Sequence, residues 1–313
     1  MLIVHPEGPL ESAVWIDLIS PTEEEKAEVE AATGVSIPSR EALSEIESTS
    51  RLRVVGHAVC LSTPLLTHGD TPEAEVTPAG LILTQKTLIT VRFAQLRAFD
   101  AAAHAFGNGN GNSSSVAVFA LVLECIVDRL ADLLENSGAE IDGLSRQVFR
   151  NADREGRRLA RASMRLRLIL AQVGQLGDKL GKIRGALLGV GRMIPFVSEV
   201  AREWIDPVVK ARLKSVRADV VSLTDYETHL DGKNQFLLDA VLGFINTEQN
   251  ELFKVLTIVS VVGVPPTLVA SIYGMNFVVM PELHWRFGYA YALGAIVLSA
   301  VLPTLWFKWK GWW

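Results

Sequence analysis

Charged side chains recur every few residues from residue 1 to about 235 and then nearly vanish. Val255 to Ile272 carries no charge, and neither does a second run from Phe287 to Phe307. Each is about 20 residues, the length a helix needs to cross roughly 30 Å of hydrocarbon at about 1.5 Å per residue. Either run alone fits the buried core helix of a soluble protein. Two of them, joined by a short loop at the end of the sequence, predict a pair of transmembrane helices.

The earlier residues show the shorter periods of a folded water-facing domain. Residues 13–19 (AVWIDLI), 52–61 (LRVVGHAVCL), 80–84 (GLILT) and 87–93 (TLITVRF) are β-branched runs that read as strands. Pro21-Thr22-Glu23-Glu24-Glu25 opens a helix with a capping box between Thr22 and Glu25, and Ser39-Arg40-Glu41 starts another. The mixture predicts a compact α/β domain over residues 1–110. Gly107 to Ser115 is low-complexity and reads as a flexible loop; it lacks the GK[ST] ending of a phosphate cradle.

A helical region is predicted over 111–205. In it Leu121, Cys125, Asp128, Asp132 and Glu135 recur at three- and four-residue spacing. From 206 to 272 the helical pattern has no stop, which implies a stalk continuing into the first span at about 254–272. A polar loop over 273–286, a second span over 287–307 and a basic tail over 308–313 complete the chain.

Flanking charges orient the spans. Lys308 and Lys310 stand among Trp306, Trp309, Trp312 and Trp313, Lys254 flanks the first span, and Lys210, Arg212, Lys214 and Arg217 lie further back. The loop between the spans offers Arg286 and His284 against Glu282. The positive-inside rule places both termini in the cytoplasm, and the tryptophans fit an interfacial belt. The opening MLIVHPEGPLESAVW has no basic segment followed by an apolar one, so no signal peptide is expected.

Composition narrows the chemistry. A formal net charge of −5 argues against nucleic-acid binding. The two cysteines, Cys60 and Cys125, lie far apart in apolar surroundings and form no CxxC pair, which suits a reducing compartment. No HExxH, phosphate loop or nucleophile–base pair appears, and the six histidines have no metal-ligand spacing, so the chain is not expected to be an enzyme.

The functional signal lies in the long helix. Asp239, Asn246, Phe253, Ser260 and Thr267 are seven apart; Gly243, Asn250, Thr257, Val264 and Ser271 form a second row at the same spacing. The rows interleave at four and three, so they share one face. Small polar residues in a membrane helix can serve close helix packing. They can also line a water-filled pore, because facing lipid is costly for them. In that case Phe253 and Val264 are apolar constrictions, and several copies of the chain are required. Pro265-Pro266 leaves carbonyls without donors, through a plain kink or toward a lumen.

Tyr273-Gly274-Met275-Asn276-Phe277 followed by Met280-Pro281-Glu282-Leu283 resembles the signature of the CorA family of magnesium/cobalt transporters. Gly243-Phe244-Ile245-Asn246, Glu248-Gln249-Asn250 and Pro265 to Ser271 resemble its stalk and first span. Trp15-Ile16-Asp17-Leu18 and the Glu41–Arg51 segment resemble its N-terminal domain. The resemblance implies a funnel-shaped homopentamer in the bacterial inner membrane, with a cytoplasmic α/β domain, a long-helix stalk and two C-terminal transmembrane helices per subunit. It implies Mg²⁺ transport, with Co²⁺ and Ni²⁺, down the electrochemical gradient and without an organic cofactor. Gly274, Met275 and Asn276 would form the outer filter, where carboxamides meet a hydrated ion that dehydrates reluctantly. Glu282 would attract cations to the entrance. Regulation by an intracellular divalent ion between subunits is also implied, with Asp17, Glu45, Glu47, Asp219 and Asp225 as possible ligands. A zinc-transporting branch resembling ZntB tends to lack the MPEL continuation, and a non-conducting membrane sensor is the alternative from another class.

Overall fold

A computed structural model of the chain describes residues 1–71, 74–109, 114–152, 159–275 and 280–312. Residues 110–113 of the expected flexible loop lie outside that set. The described chain divides into two compact units, one of Met1–Arg154 with Leu168–Asp239 and one of Glu155–Arg167 with Ala240–Trp313.

The first unit is built on a six-stranded sheet of β1 (Leu2–His5), β2 (Trp15–Ile19), β3 (Leu52–Val55), β4 (Ala58–Thr67), β5 (Glu75–Leu83) and β6 (Leu88–Arg92), in the order β1-β2-β6-β5-β4-β3. Only β2 and β6 pair in parallel; the other pairings are antiparallel. Side chains alternate across a strand, yet Trp15, Ile16, Asp17 and Leu18 are all buried. The sheet is therefore covered on both faces. Ile16, Leu18, Ile82, Ile89 and Val91 pack with Val29 and Leu43 from α1 (Glu23–Thr33) and α2 (Arg40–Leu43). A single turn, α3 (Ser48–Arg51), leads into β3. On the other face lie α4 (Arg97–Gly107), α5 (Ser115–Ala152) and α6 (Leu159–Val200), with Phe106 edge-on to Trp15 and Gly189 backed against Thr63.

The predicted capping box is formed: Glu25 N–H donates to Thr22 Oγ1 at 3.2 Å and Thr22 N–H to Glu25 Oε2 at 2.9 Å. The reading of 52–61 as one strand is corrected. Gly56 takes a φ of 60°, open to glycine without steric cost, and folds the run into the β3–β4 hairpin.

Helix α7 runs from Pro207 to Tyr273. Within the first unit it packs on α5 and α6. Arg212 grips Glu124 through two bonds of 2.8 and 2.6 Å, Lys233 reaches Asp142 at 2.6 Å, and Asn234 donates to the Val173 carbonyl at 3.2 Å. In the second unit the apolar end of α7 is followed by a short 3₁₀ turn, Pro281–His284, and by α8 (Gly288–Trp309). Gly311, at φ 70°, closes α8. Trp312 N–H reaches the Phe307 carbonyl, Gly311 N–H reaches that of Lys308, and Trp312 stacks on Phe307. That is the Schellman arrangement with its hydrophobic contact, and it fixes the Trp/Lys tail to the helix end.

Candidate functional site

The candidate site is one face of α7. Its end and α8 are the two helices of membrane-crossing length and apolarity among the described residues, and none of the most apolar stretch of α7 is buried. Leu252, Leu256, Val259, Leu268, Val297, Leu298 and Leu302 are all exposed. A continuous apolar surface of this extent belongs in hydrocarbon rather than water.

The two heptad rows keep to one side. Asp239, Gly243, Asn246, Asn250, Phe253, Thr257, Ser260, Val264, Thr267 and Ser271 are exposed without exception. Ile258, Val262, Pro265, Pro266, Val269 and Tyr273, on the opposite side, are half-buried. The fold of one chain thus leaves the stripe uncovered and covers part of the other side, where Val255 and Val259 stay exposed.

Three of the four stripe hydroxyls have a defined polarity. Thr257 Oγ1 donates to the Phe253 carbonyl at 2.8 Å, Thr267 to Gly263 at 2.9 Å and Ser271 to Thr267 at 2.8 Å. Each proton is spent on the helix backbone, so the oxygen presents lone pairs outward. Acceptors facing outward suit water molecules that carry their protons outward from a cation. Pro265 and Pro266 sit inside the helix without ending it. Lacking N–H groups, they leave the carbonyls four residues earlier, on Val261 and Val262, without backbone donors.

Gly274 follows α7, its N–H bonded to the Ala270 carbonyl at 3.0 Å, and Met275 is exposed beside it. Asn276, the expected filter carboxamide, lies outside the described residues. Glu282 belongs to the 3₁₀ turn Pro281–His284, and only its backbone is described.

Within one chain the carboxylates expected to hold an ion between subunits are not brought together. Among the described residues no group of three or more His, Cys, Asp and Glu side chains is placed to hold a metal ion. Glu45 and Glu47 lie on an exposed loop, and Asp219 and Asp225 are exposed on α7. Asp17 is 2% exposed, with both oxygens occupied. Thr90 Oγ1 donates to Oδ1 at 2.6 Å, and Arg92 Nε and Nη2 donate to Oδ2 at 3.2 and 2.8 Å. Asp17 is thereby a core ion-pair partner in this fold. Sequence reasoning missed a different feature: Asp219 faces an acidic patch on α5. Burial first, then the charges of Glu124, Asp132 and Asp219, push the Asp128 carboxyl above its ordinary range. The four-residue spacing of Glu124, Asp128 and Asp132 was the available signal.

A double-faced α/β unit, a long helix with an apolar C-terminal end and a second apolar helix define a membrane-anchored α/β protein with an exposed polar stripe. The family described as "CorA-like Mg2+ transporter protein" matches residues 11–309, and the chain belongs to that family. It is 32% identical over 312 residues to the magnesium transport protein CorA of Escherichia coli K12, covering 99% of this chain and 95% of that protein. It is 30% identical over 311 residues to the protein of the same name from Haemophilus influenzae, again covering 99% and 95%. Among solved structures, the complete CorA magnesium transporter from Methanocaldococcus jannaschii superposes with a TM-score of 0.74 at 16% identity, over 98% of this chain and 94% of that one. Full-length CmaX gives 0.69 at 16% identity, over 95% and 88%. The cytoplasmic domain of ZntB from Vibrio parahaemolyticus gives 0.51 at 13% identity, over 76% and 88%. These structural likenesses establish the fold.

Proposed function

We propose that the chain is one subunit of a homopentameric channel that admits Mg²⁺, and with it Co²⁺ and Ni²⁺, across the bacterial inner membrane, with both termini in the cytoplasm. The observation that carries this reading is the uniform exposure of the ten stripe positions from Asp239 to Ser271, whereas the other side of the helix is half-buried at Ile258, Val262, Pro265, Pro266, Val269 and Tyr273 and exposed at Val255 and Val259. Five such faces turned to a common axis enclose a lumen. Asp239, Asn246 and Asn250 then ring its inner mouth, and Phe253 and Val264 form apolar constrictions that gate by dewetting. Outward acceptor oxygens on Thr257, Thr267 and Ser271 take hydrogen bonds from the ion's water shell, so Mg²⁺ passes without being stripped of it.

Gly274, Met275 and Asn276 form the outer filter in this reading, and Glu282 raises the cation concentration before it. An inside-negative potential supplies about 2.3 kcal/mol per charge per 100 mV, enough to drive uptake without a coupled reaction. Intracellular divalent ions gate the channel by screening carboxylates at subunit contacts. Asp219, beside the acidic patch of α5, is the described member best placed for that, with Asp225, Glu45 and Glu47 as further members.

The test is Mg²⁺ flux into proteoliposomes, with Zn²⁺ and Co²⁺ as parallel arms. Wild type is expected to conduct Mg²⁺, and Asn276→Ala to reduce that flux at least about tenfold, through the loss of one hydrogen bond to the ion's water shell per subunit. Undiminished flux in the variant removes the filter assignment. Zn²⁺ flux without Mg²⁺ flux moves the chain to the ZntB-like reading, and no flux with any divalent ion leaves a membrane-anchored sensor.

A further inference from the structure

The first unit holds a cavity of about 390 Å³ between α5, α6 and the loop after β4, well away in sequence from the stripe. Its volume lies at the small end of ligand pockets, suited to a compact molecule. Lys179 lines it and is 5% exposed. Its aliphatic stem is packed away while the ammonium, which is not among the fully buried unpaired polar atoms, stands at the cavity wall with three donors to offer. Its nearest acid, Glu140, stands at 3.6 Å, beyond a charge-assisted hydrogen bond, and is 53% exposed. Among the described residues no hydrogen bond to the ammonium is formed.

The second carboxylate of the cavity is already committed. Asp70 is held by Arg97 and by Arg129, each at 2.6 Å. The Arg129 hydrogen bond first, then the charges of Arg129, Arg97 and Lys179, keep its carboxyl below the ordinary range. Three cations therefore converge on one neutralised aspartate and a half-exposed glutamate. The remaining polar lining includes Thr71 and the carboxamides of Gln172 and Gln175, the latter two one turn apart on α6 ahead of Lys179. Amides and a hydroxyl can all donate to oxygen. The Lys179 ammonium repels a cation, and Leu144 and Leu176 leave part of the wall apolar.

We propose that this cavity is a binding site for a small oxyanion, a phosphate or carboxylate group, seated on Lys179 with Gln172 and Gln175 donating to its oxygens. Glu140, free to swing into water, is the group the anion displaces. The site is independent of the permeation reading, since it rests on the first unit alone.

The experiment titrates full-length protein in detergent and EDTA by calorimetry with inorganic phosphate, adenosine diphosphate and succinate separately. At least one is expected to bind saturably, and the probe that does so assigns phosphate or carboxylate chemistry. Lys179→Gln should weaken that binding about tenfold or more, and Lys179→Arg should restore part of it. Gln175→Ala, at an exposed position, should weaken it severalfold and serves if Lys179→Gln fails to fold. Absence of saturable binding to wild type by any probe overturns the proposal, as does affinity unchanged in the Lys179 and Gln175 variants. A separate EDTA-free titration with MgCl₂ that gives binding sensitive to Glu140→Gln but not to Lys179→Gln would make the site a cation site and overturn it equally.

Discussion

Two acidic residues show how far a side chain's role depends on partners distant in sequence. Asp17 sits in WIDL, and its ion-pair partner Arg92 is 75 positions later, brought beside it by the parallel β2–β6 pairing. Nothing local distinguishes such an aspartate from a surface ligand. Glu227 lies in the charged stretch DYETHLDG and reads as solvated, yet it is 1% exposed between α7 and α6. Arg184 Nη1 stands 3.8 Å from its Oε2, and that oxygen has no hydrogen-bond partner among the described residues. Burial raises the Glu227 carboxyl above its ordinary range, Asp231 adds to the rise, and Arg184 offsets part of it. A raised folded-state value means the folded chain binds the proton more tightly than the unfolded chain. Its contribution to stability is therefore best at low pH and falls as pH rises from the ordinary glutamate value through the raised one. Glu227→Gln is expected to raise the melting temperature by about 2 °C near pH 7.5, with the gain vanishing near pH 4. Scanning fluorimetry across pH measures it; a lower melting temperature at the higher pH would mean the Arg184 pair outweighs burial.

At the scale of elements, local chemistry was legible and tertiary punctuation was not. The Thr22–Glu25 capping box and the Ser39 N-cap depend on residues three apart, and both form. The β3–β4 hairpin escaped notice because Gly56-His57 interrupts an otherwise apolar run. The full length of β4 and β5 was hidden by Pro64 and Pro78, which ordinarily mark strand ends. They face each other in register, a pair that can exchange no hydrogen bonds, and neither outer neighbour reaches them. Pairing with β3 ends at Leu52↔Leu61 and with β6 at Ala79↔Arg92. The glycines of α6 likewise have no meaning until the sheet is placed behind them. A Cβ on Gly189 would collide with Thr63 Oγ1 and lie 2.9 Å from its Cβ, whereas one on Gly181 meets nothing within 4 Å. Gly189→Ala is expected to destabilise by about 1–3 kcal/mol through forced separation of α6 from β4. Gly181→Ala, in the same helix, should stabilise by about 0.5–1 kcal/mol because alanine loses less backbone entropy. Opposite shifts in thermal unfolding check the pair, and equal shifts would dissociate the effect from the Thr63 contact.

For the whole molecule, the stripe was legible because a heptad needs only spacing, and its exposure follows from what the rest of the chain leaves uncovered. Exposure on a single chain is compatible with two assemblies: stripes that meet as dry helix contacts, or stripes that surround water. Chemistry separates them. Cys60 and Cys125 are the chain's two cysteines and can be replaced by alanine, since each is a small, at least partly buried side chain. In that background single cysteines are placed on the stripe, at Asn250 and Thr257, and on the far side of the same helix, at Val255 and Val259. All four positions are exposed on the isolated chain, so accessibility in the monomer does not bias the comparison. Around a water-filled lumen, a charged, membrane-impermeant thiol reagent is expected to modify Asn250→Cys and Thr257→Cys and to block Mg²⁺ flux. Val255→Cys and Val259→Cys, turned to lipid, should stay unmodified, because thiolates form poorly in hydrocarbon and the reagent does not enter it. Dry packing protects the stripe cysteines as well. Equal modification of both sides would mean that α7 is bathed in water all round, which its uncharged run from Val255 to Ile272 does not tolerate.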